Sequence, residues 1–147
     1  MNSAVLAVDL GGTNMRMAAV TNEGAILHTA RTATPNDVSP AQLIDLTSKL
    51  ADECRAFTQE KYVIGGIAFA SPAPAAKDGE GILTKLPNLP SLNGMNLKKA
   101  LFDRFGLPVT LENDATAAAI GENWLGAARA CYDSIQITLG TGVGGGI

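Results

Sequence analysis

Ala7-Val8-Asp9-Leu10-Gly11-Gly12-Thr13-Asn14-Met15-Arg16 is the stretch from which the rest of the chain is read. Apolar residues 5–8 end in a carboxylate, Asp9, and two adjacent glycines, and a second apolar run follows over residues 15–20. Two short apolar runs joined through Gly-Gly predict a β-hairpin, because glycine accepts the positive φ that tight hairpin turns demand. With no side chains at Gly11 and Gly12, the N–H groups of the turn can approach an anion closely. Thr13 and Asn14 add a hydroxyl and an amide at the same place. Successive N–H groups in a turn form an anion-binding concavity, for which phosphate is the natural occupant. Alone, a Gly-Gly-Thr turn is more often an ordinary hairpin. The second glycine-rich stretch, Gly140-Thr141-Gly142-Val143-Gly144-Gly145-Gly146, shifts the balance toward phosphate.

Outward from the hairpin, residues 25–32 predict a third antiparallel strand, with His28 in it facing solvent. Ser39 and Pro40 then mark a helix start, as N-cap and first helical residue. Leu43, Leu46, Leu50, Cys54 and Phe57 recur at three- and four-residue intervals, predicting an amphipathic helix through residue 60. Residues 62–70 are almost unbroken in apolarity, as in a parallel strand covered on both faces. The strand runs into Ser71-Pro72-Ala73-Pro74, at the kind of strand end where ligands of α/β sheets collect. Residues 75–94 read as an irregular surface loop, with Asn88 held between Pro87 and Leu89-Pro90. A short helix over 96–105, closed by Gly106, precedes a strand over 108–111 that leads into Glu112-Asn113-Asp114. An alanine-rich helix over 115–125 and a last strand over 134–139 complete the order.

These elements predict one α/β domain. Its five-stranded mixed sheet has three antiparallel strands on one side of a parallel pair, with helices on both faces. The 147 residues suffice for a real core, and 46% hydrophobic against 17% charged residues argues against disorder. A formal net charge of −3 with no basic run excludes a general nucleic-acid or anionic-membrane binder. The first apolar run is broken by Asp9, so it is read as neither a signal peptide nor a membrane span. Cys54 and Cys131 lack metal-ligand spacing, and a reducing, cytoplasmic setting is expected. Low charge and high apolar content further predict an exposed apolar face and a homo-oligomer.

Three features fall at strand ends: the first glycine turn, Glu112-Asn113-Asp114, and the second glycine turn. Two glycine turns can hold a polyphosphate from two sides while a strand-end carboxylate faces the acceptor. Phosphoryl transfer needs those parts. An Asn-Asp pair before a helix is also a natural N-cap, and the two roles are compatible.

Asp9-Leu10-Gly11-Gly12-Thr13-Asn14 with Arg16 resembles the first phosphate motif of the actin-like ATPase superfamily, with its ribonuclease H-like domains. Its closer resemblance is to the ROK family of repressors, uncharacterised reading frames and sugar kinases. Glu112-Asn113-Asp114-Ala115 is similar to that family's sugar and catalytic segment. The stretch from Thr138 to Gly146 is similar to its second phosphate motif. The resemblance implies ATP-dependent phosphorylation of a hexose, glucose foremost, with Asp114 as general base. Asn88, Asn113, Asp114 and Ala73 would meet the sugar. Gly11, Gly12, Thr13, Asn14, Arg16, Gly140, Thr141, Gly142, Gly144 and Gly145 would face the nucleotide phosphates. Asp9 would act on magnesium through water. Ala73 departs from the glycine of the family's Pro-Gly-Pro. The family also continues into a second domain with a zinc site, so residues 1–147 are expected to be the first domain of a two-domain sugar kinase, without zinc. The hairpin after the second glycine turn is expected to stop short at Ile147, and the domain alone to be inactive. The rival readings are a stand-alone sugar-binding or regulatory domain without catalysis, and the remnant of a ROK-type regulator.

Overall fold

A computed structural model describes residues 2–58, 61–72, 80–139 and 143–147. The strands β1 (Asn2–Leu10), β2 (Asn14–Thr21), β3 (Ile26–Ala33), β4 (Tyr62–Ser71) and β5 (Val109–Asn113) form one five-stranded sheet. Its order is β3-β2-β1-β4-β5. The pairs β1–β2 and β2–β3 are antiparallel, while β1–β4 and β4–β5 are parallel. This is the mixed sheet that the sequence predicts.

Alternation along β1 sets the layers. Leu6, Val8 and Leu10 are buried with Met15, Met17 and Ala19 of β2, whereas Val5 and Asp9 stand on the other side. The helices α1 (Pro40–Thr58) and α2 (Leu97–Phe105) cover the buried face through Leu43, Leu50, Cys54, Leu97 and Leu101. Ser39 Oγ accepts from Gln42 N while Gln42 Oε1 accepts from Ser39 N, a reciprocal capping box that fixes the start of α1. The helix ends at Thr58 as described, and residue 60, its expected end, lies outside the described residues. Asn96 caps α2 through Lys99 N, and Gly106 closes it at φ 64°. Cys54 is fully buried, and burial pushes its thiol pKa up, so packing is its role. Among the described residues no helix is long and apolar enough to cross a membrane.

Residues 80–94 depart from the expected surface loop. Leu83, Leu86, Leu89 and Leu92 are all buried in the main core. The segment folds back on itself: Leu83 N donates to Met95 O, Gly94 N to Leu83 O, and Leu86 N to Asn93 Oδ1. Leucines at every third position satisfy the core without a regular helix, and a short 3₁₀ turn spans Pro90–Leu92. His28 also departs from expectation. It stacks on Phe57 at 3.8 Å between ring centroids and hydrogen bonds Glu53 at 3.2 Å, tying β3 to α1. Phe57 itself is exposed rather than part of the helix's buried face.

The helix α3 (Asp114–Leu125) leaves the carboxyl end of β5. Its last residues, Trp124 and Leu125, lie against Gly24 in the β2–β3 turn, so it crosses the face opposite α1 and α2. Its small side chains serve a different partner from the main sheet. Ala115 and Ala119 pack on a separate two-stranded hairpin, β6 (Gln136–Leu139) and β7 (Val143–Gly146). A Cβ on Gly146 would stand 2.6 Å from Ala115 O and 2.7 Å from Ala119 Cβ, so only glycine permits this contact. The returning strand β7, expected to stop short at Ile147, is thus present. Ile120, Trp124, Leu125, Ile137, Leu139 and Val143 are exposed on α3 and the hairpin.

Candidate active site

Parallel strands β1, β4 and β5 end on one side of the sheet, and three loops meet there. A cavity of about 980 Å³ is lined by Gly11, Gly12 and Thr13 of the first turn, Asn88, Asn113 and Asp114, and Gly144 and Gly145 of the hairpin. Residues more than a hundred positions apart are therefore brought to one cleft. Ala73, Gly140, Thr141 and Gly142 lie outside the described residues. Asn14 does not line the cavity. Its carbonyl accepts from Gly11 N at 2.9 Å and closes the hairpin turn.

Neither Gly11 nor Gly12 adopts a positive φ, so the turn does not need glycine for its dihedrals. Close approach is the reason. A Cβ on Gly11 would stand 2.9 Å from Asn14 O, and one on Gly12 would stand 3.3 Å from Asn88 Cβ. Asn88 therefore lies directly over the turn, held there by buried Leu86 and Leu89 on either side.

Asn113 is the N-cap of α3: its Oδ1 accepts from Ala115 N at 3.0 Å and Thr116 N at 3.2 Å. Asp114 is thereby released from capping and becomes the first helical residue. Its Oδ1 accepts from Ala115 N at 2.7 Å, which fixes the exposed carboxylate at the rim of the cleft. Negative charge at a helix N-terminus is favoured by the macrodipole.

Asp9 and Arg16 are directly opposed on β1 and β2 and line a second cavity. Partial burial raises the Asp9 pKa, the Arg16 guanidinium lowers it, and nearby Asp114 raises it again. A raised value means that the native state keeps its proton to higher pH than the unfolded chain. Stability is then greatest below the unfolded value and falls as pH rises through the native one. Asp9→Asn should therefore unfold at higher urea concentration than the parent above that window and match it below, as urea titrations on both sides would read. A midpoint unchanged or lowered at neutral pH would refute this.

Among the described residues no group of three or more His, Cys, Asp or Glu side chains gathers to hold a metal. Magnesium is commonly held by one or two carboxylates plus phosphate oxygens and water, and Asp9 beside the glycine turn fits that pattern. Asn36 also lines the cleft and was not singled out from the sequence. Its turn is tied to the first glycine turn by Thr34 N donating to Thr13 O at 2.8 Å, a contact between β3 and the hairpin that no local pattern announces.

A family model described as the ROK family matches residues 5–147. The chain is 33% identical to a beta-glucoside kinase of Listeria monocytogenes, over 97% of this chain and 46% of that protein. It is 35% identical to a glucokinase of Thermotoga maritima, over 97% of this chain and 44% of that protein. A ROK family glucokinase from Streptomyces griseus, solved in complex with glucose and AMPPNP, superposes with a TM-score of 0.82 at 34% identity. That match covers 97% of this chain and 43% of the solved one. The chain thus spans about half the length of the relatives it matches.

Proposed function

Because this chain belongs to the ROK family, we propose that it supplies the catalytic base and part of the sugar and phosphate sites of an ATP-dependent hexose kinase, glucose being the first substrate to test. The observation that carries this reading is the single cleft shared by Asp114, Asn113, Asn88 and the first glycine turn. The names of its relatives, glucokinase and beta-glucoside kinase, support a sugar as acceptor.

In the reaction, the sugar's 6-hydroxyl oxygen attacks the terminal phosphorus of ATP, and the bond to the bridging oxygen of the departing ADP breaks. Asp114 accepts the hydroxyl proton. A weakly basic carboxylate suffices in a loose transition state, where most of the rate comes from positioning and charge stabilisation. Asn88 and Asn113 orient the sugar, Asn113 with its rotamer fixed by the capping bonds. Backbone N–H groups of Gly12, Thr13, Gly144 and Gly145, which line the cleft, face the phosphates, assisted by Arg16. Asp9 would hold magnesium through water, and the ion would supply charge neutralisation to the phosphate chain. Closure by the second half of the protein excludes water, favouring transfer to sugar over hydrolysis. We assign the protein to the cytoplasm, where ATP is found. The exposed apolar side chains of α3 and the hairpin are its route to self-association.

The test is hexose-dependent ADP release by the full-length protein, with glucose, mannose, N-acetylhexosamines and a β-glucoside compared. Release with at least one sugar above the sugar-free rate is expected. No stimulation by any of them, in a protein that folds, would overturn the reading.

A further inference from the structure

We propose that Ser91 is a positioning residue for Asn88: its hydroxyl, donated to the carbonyl of Val38, fixes where the Asn88 amide stands over the first glycine turn. This rests on the kinase reading, in which Asn88 orients the sugar, and extends it to a side chain that does not itself line the cleft.

A Cβ on Gly12 would stand 3.3 Å from Asn88 Cβ, so the segment carrying Asn88 rests closely on the turn. Leu86, Leu89 and Leu92 hold that segment down, all three buried in the main core. Apolar burial is non-directional, so the leucines set the depth of the segment and leave its lateral position to another contact. A hydrogen bond is directional and can supply it. Ser91 Oγ donates to Val38 O at 2.7 Å, across 53 positions of sequence. Among the described residues, the other hydrogen bonds of residues 86–93 reach no further than Met95.

The acceptor is itself fixed. Val38 is fully buried, its N–H donates to Pro35 O at 3.1 Å, and the capping box of Ser39 and Gln42 begins at the next residue. Further back in the same loop, Thr34 N donates to Thr13 O at 2.8 Å. The loop between β3 and α1 is therefore anchored to the glycine turn at one end and to α1 at the other. Ser91 fastens the Asn88 segment to that loop. Between Asn88 and Ser91 stand Leu89, which is buried, and Pro90, whose ring fixes φ. Little freedom is left between the hydrogen bond and the amide. Orientation by a bound group is lost over displacements of about 1 Å, so the bond matters to the sugar although it lies outside the cleft.

The experiment compares Ser91→Ala and Ser91→Thr with the parent in the full-length protein. Calorimetry gives the sugar Kd, steady-state kinetics give kcat and KM, and hydrogen exchange read by mass spectrometry compares residues 83–95 with residues 97–105 of α2. Ser91→Ala is expected to weaken the sugar Kd and raise its KM about 3- to 10-fold, as for loss of one hydrogen bond, with kcat within about twofold of the parent. Asp114 and its supporting cap belong to α3 and do not depend on Ser91. Exchange should quicken by a similar factor over residues 83–95 and keep the parent's rate over 97–105. Ser91→Thr keeps the hydroxyl and should restore both readings. A sugar Kd within twofold of the parent in Ser91→Ala, or unchanged exchange over residues 83–95, overturns the proposal, including where the melting temperature falls instead. A threonine variant that behaves like the alanine one overturns it as well. A parent that binds a sugar but transfers no phosphate to it, with the Kd still weakened by Ser91→Ala, leaves the role of Ser91 standing and removes the kinase reading. A parent that binds no sugar removes both.

Discussion

Asp114→Asn is expected to lower kcat by roughly 10²–10⁴ in the full-length protein while leaving the sugar Kd nearly unchanged. The amide cannot accept the 6-hydroxyl proton, but its oxygen can still accept a hydrogen bond from that hydroxyl. Folding offers no competing explanation, because Asn113 and not Asp114 caps α3. The amide Oδ1 can keep the bond from Ala115 N. What is lost is one negative charge at the helix N-terminus, about 0.3–1 kcal/mol. Asn113→Ala makes the contrast: it removes the cap and should cost about 0.5–2 kcal/mol of stability. The measurements are kcat, sugar Kd and melting temperature for all three proteins. Activity of Asp114→Asn within a few-fold of the parent would take Asp114 out of the chemistry.

Phe69→Ala is expected to cost about 3–5 kcal/mol, a large share of the stability of a domain of this size. Phe69 is 1% exposed in β4, paired with Val8 and Leu111 on the flanking strands, and its ring fills the layer between sheet and helices. Alanine leaves a cavity that the rigid parallel strands cannot close. The loss should also reach the cleft, because β4 leads into Pro72, which lines it, and pairs with the strand that carries Asn113. Phe102→Ala is the control, since Phe102 is 54% exposed on α2 and should change stability by less than about 1 kcal/mol. Urea midpoints separate the two. A Phe69→Ala midpoint within error of Phe102→Ala would refute this account of the core.

Much of the candidate site was legible before any coordinates. Asp9-Leu10-Gly11-Gly12 and Glu112-Asn113-Asp114 were each placed at a strand end by the apolar run before them, and both lie there. The purpose of the glycines was not legible. Positive φ was the expected reason, whereas close approach to Asn14 O and Asn88 is the reason found. Dihedral need is a local property, but close approach depends on which distant segment arrives, and Asn88 arrives through its buried leucine neighbours. The spacing of Leu83, Leu86, Leu89 and Leu92 was present in the sequence as a signal. It was hidden by the surrounding Gly, Pro and Asn, which usually mark a surface loop.

By itself the sequence determined the order and type of the elements from β1 to α3 and several of their ends, Ser39 and Pro40 at α1 and Asn96 and Gly106 around α2 among them. Those choices are made by neighbouring residues through caps, dihedral preferences and alternation, so they are written locally. Only the tertiary structure decided that Asp114 faces the cleft, that Asn36 lines it, and that Arg31 stands opposite Arg16. Each of these depends on strand register and on a loop meeting another across long sequence separation. Register is fixed by burying Leu6, Met17 and Phe69 together on one face, which turns the polar row to the other.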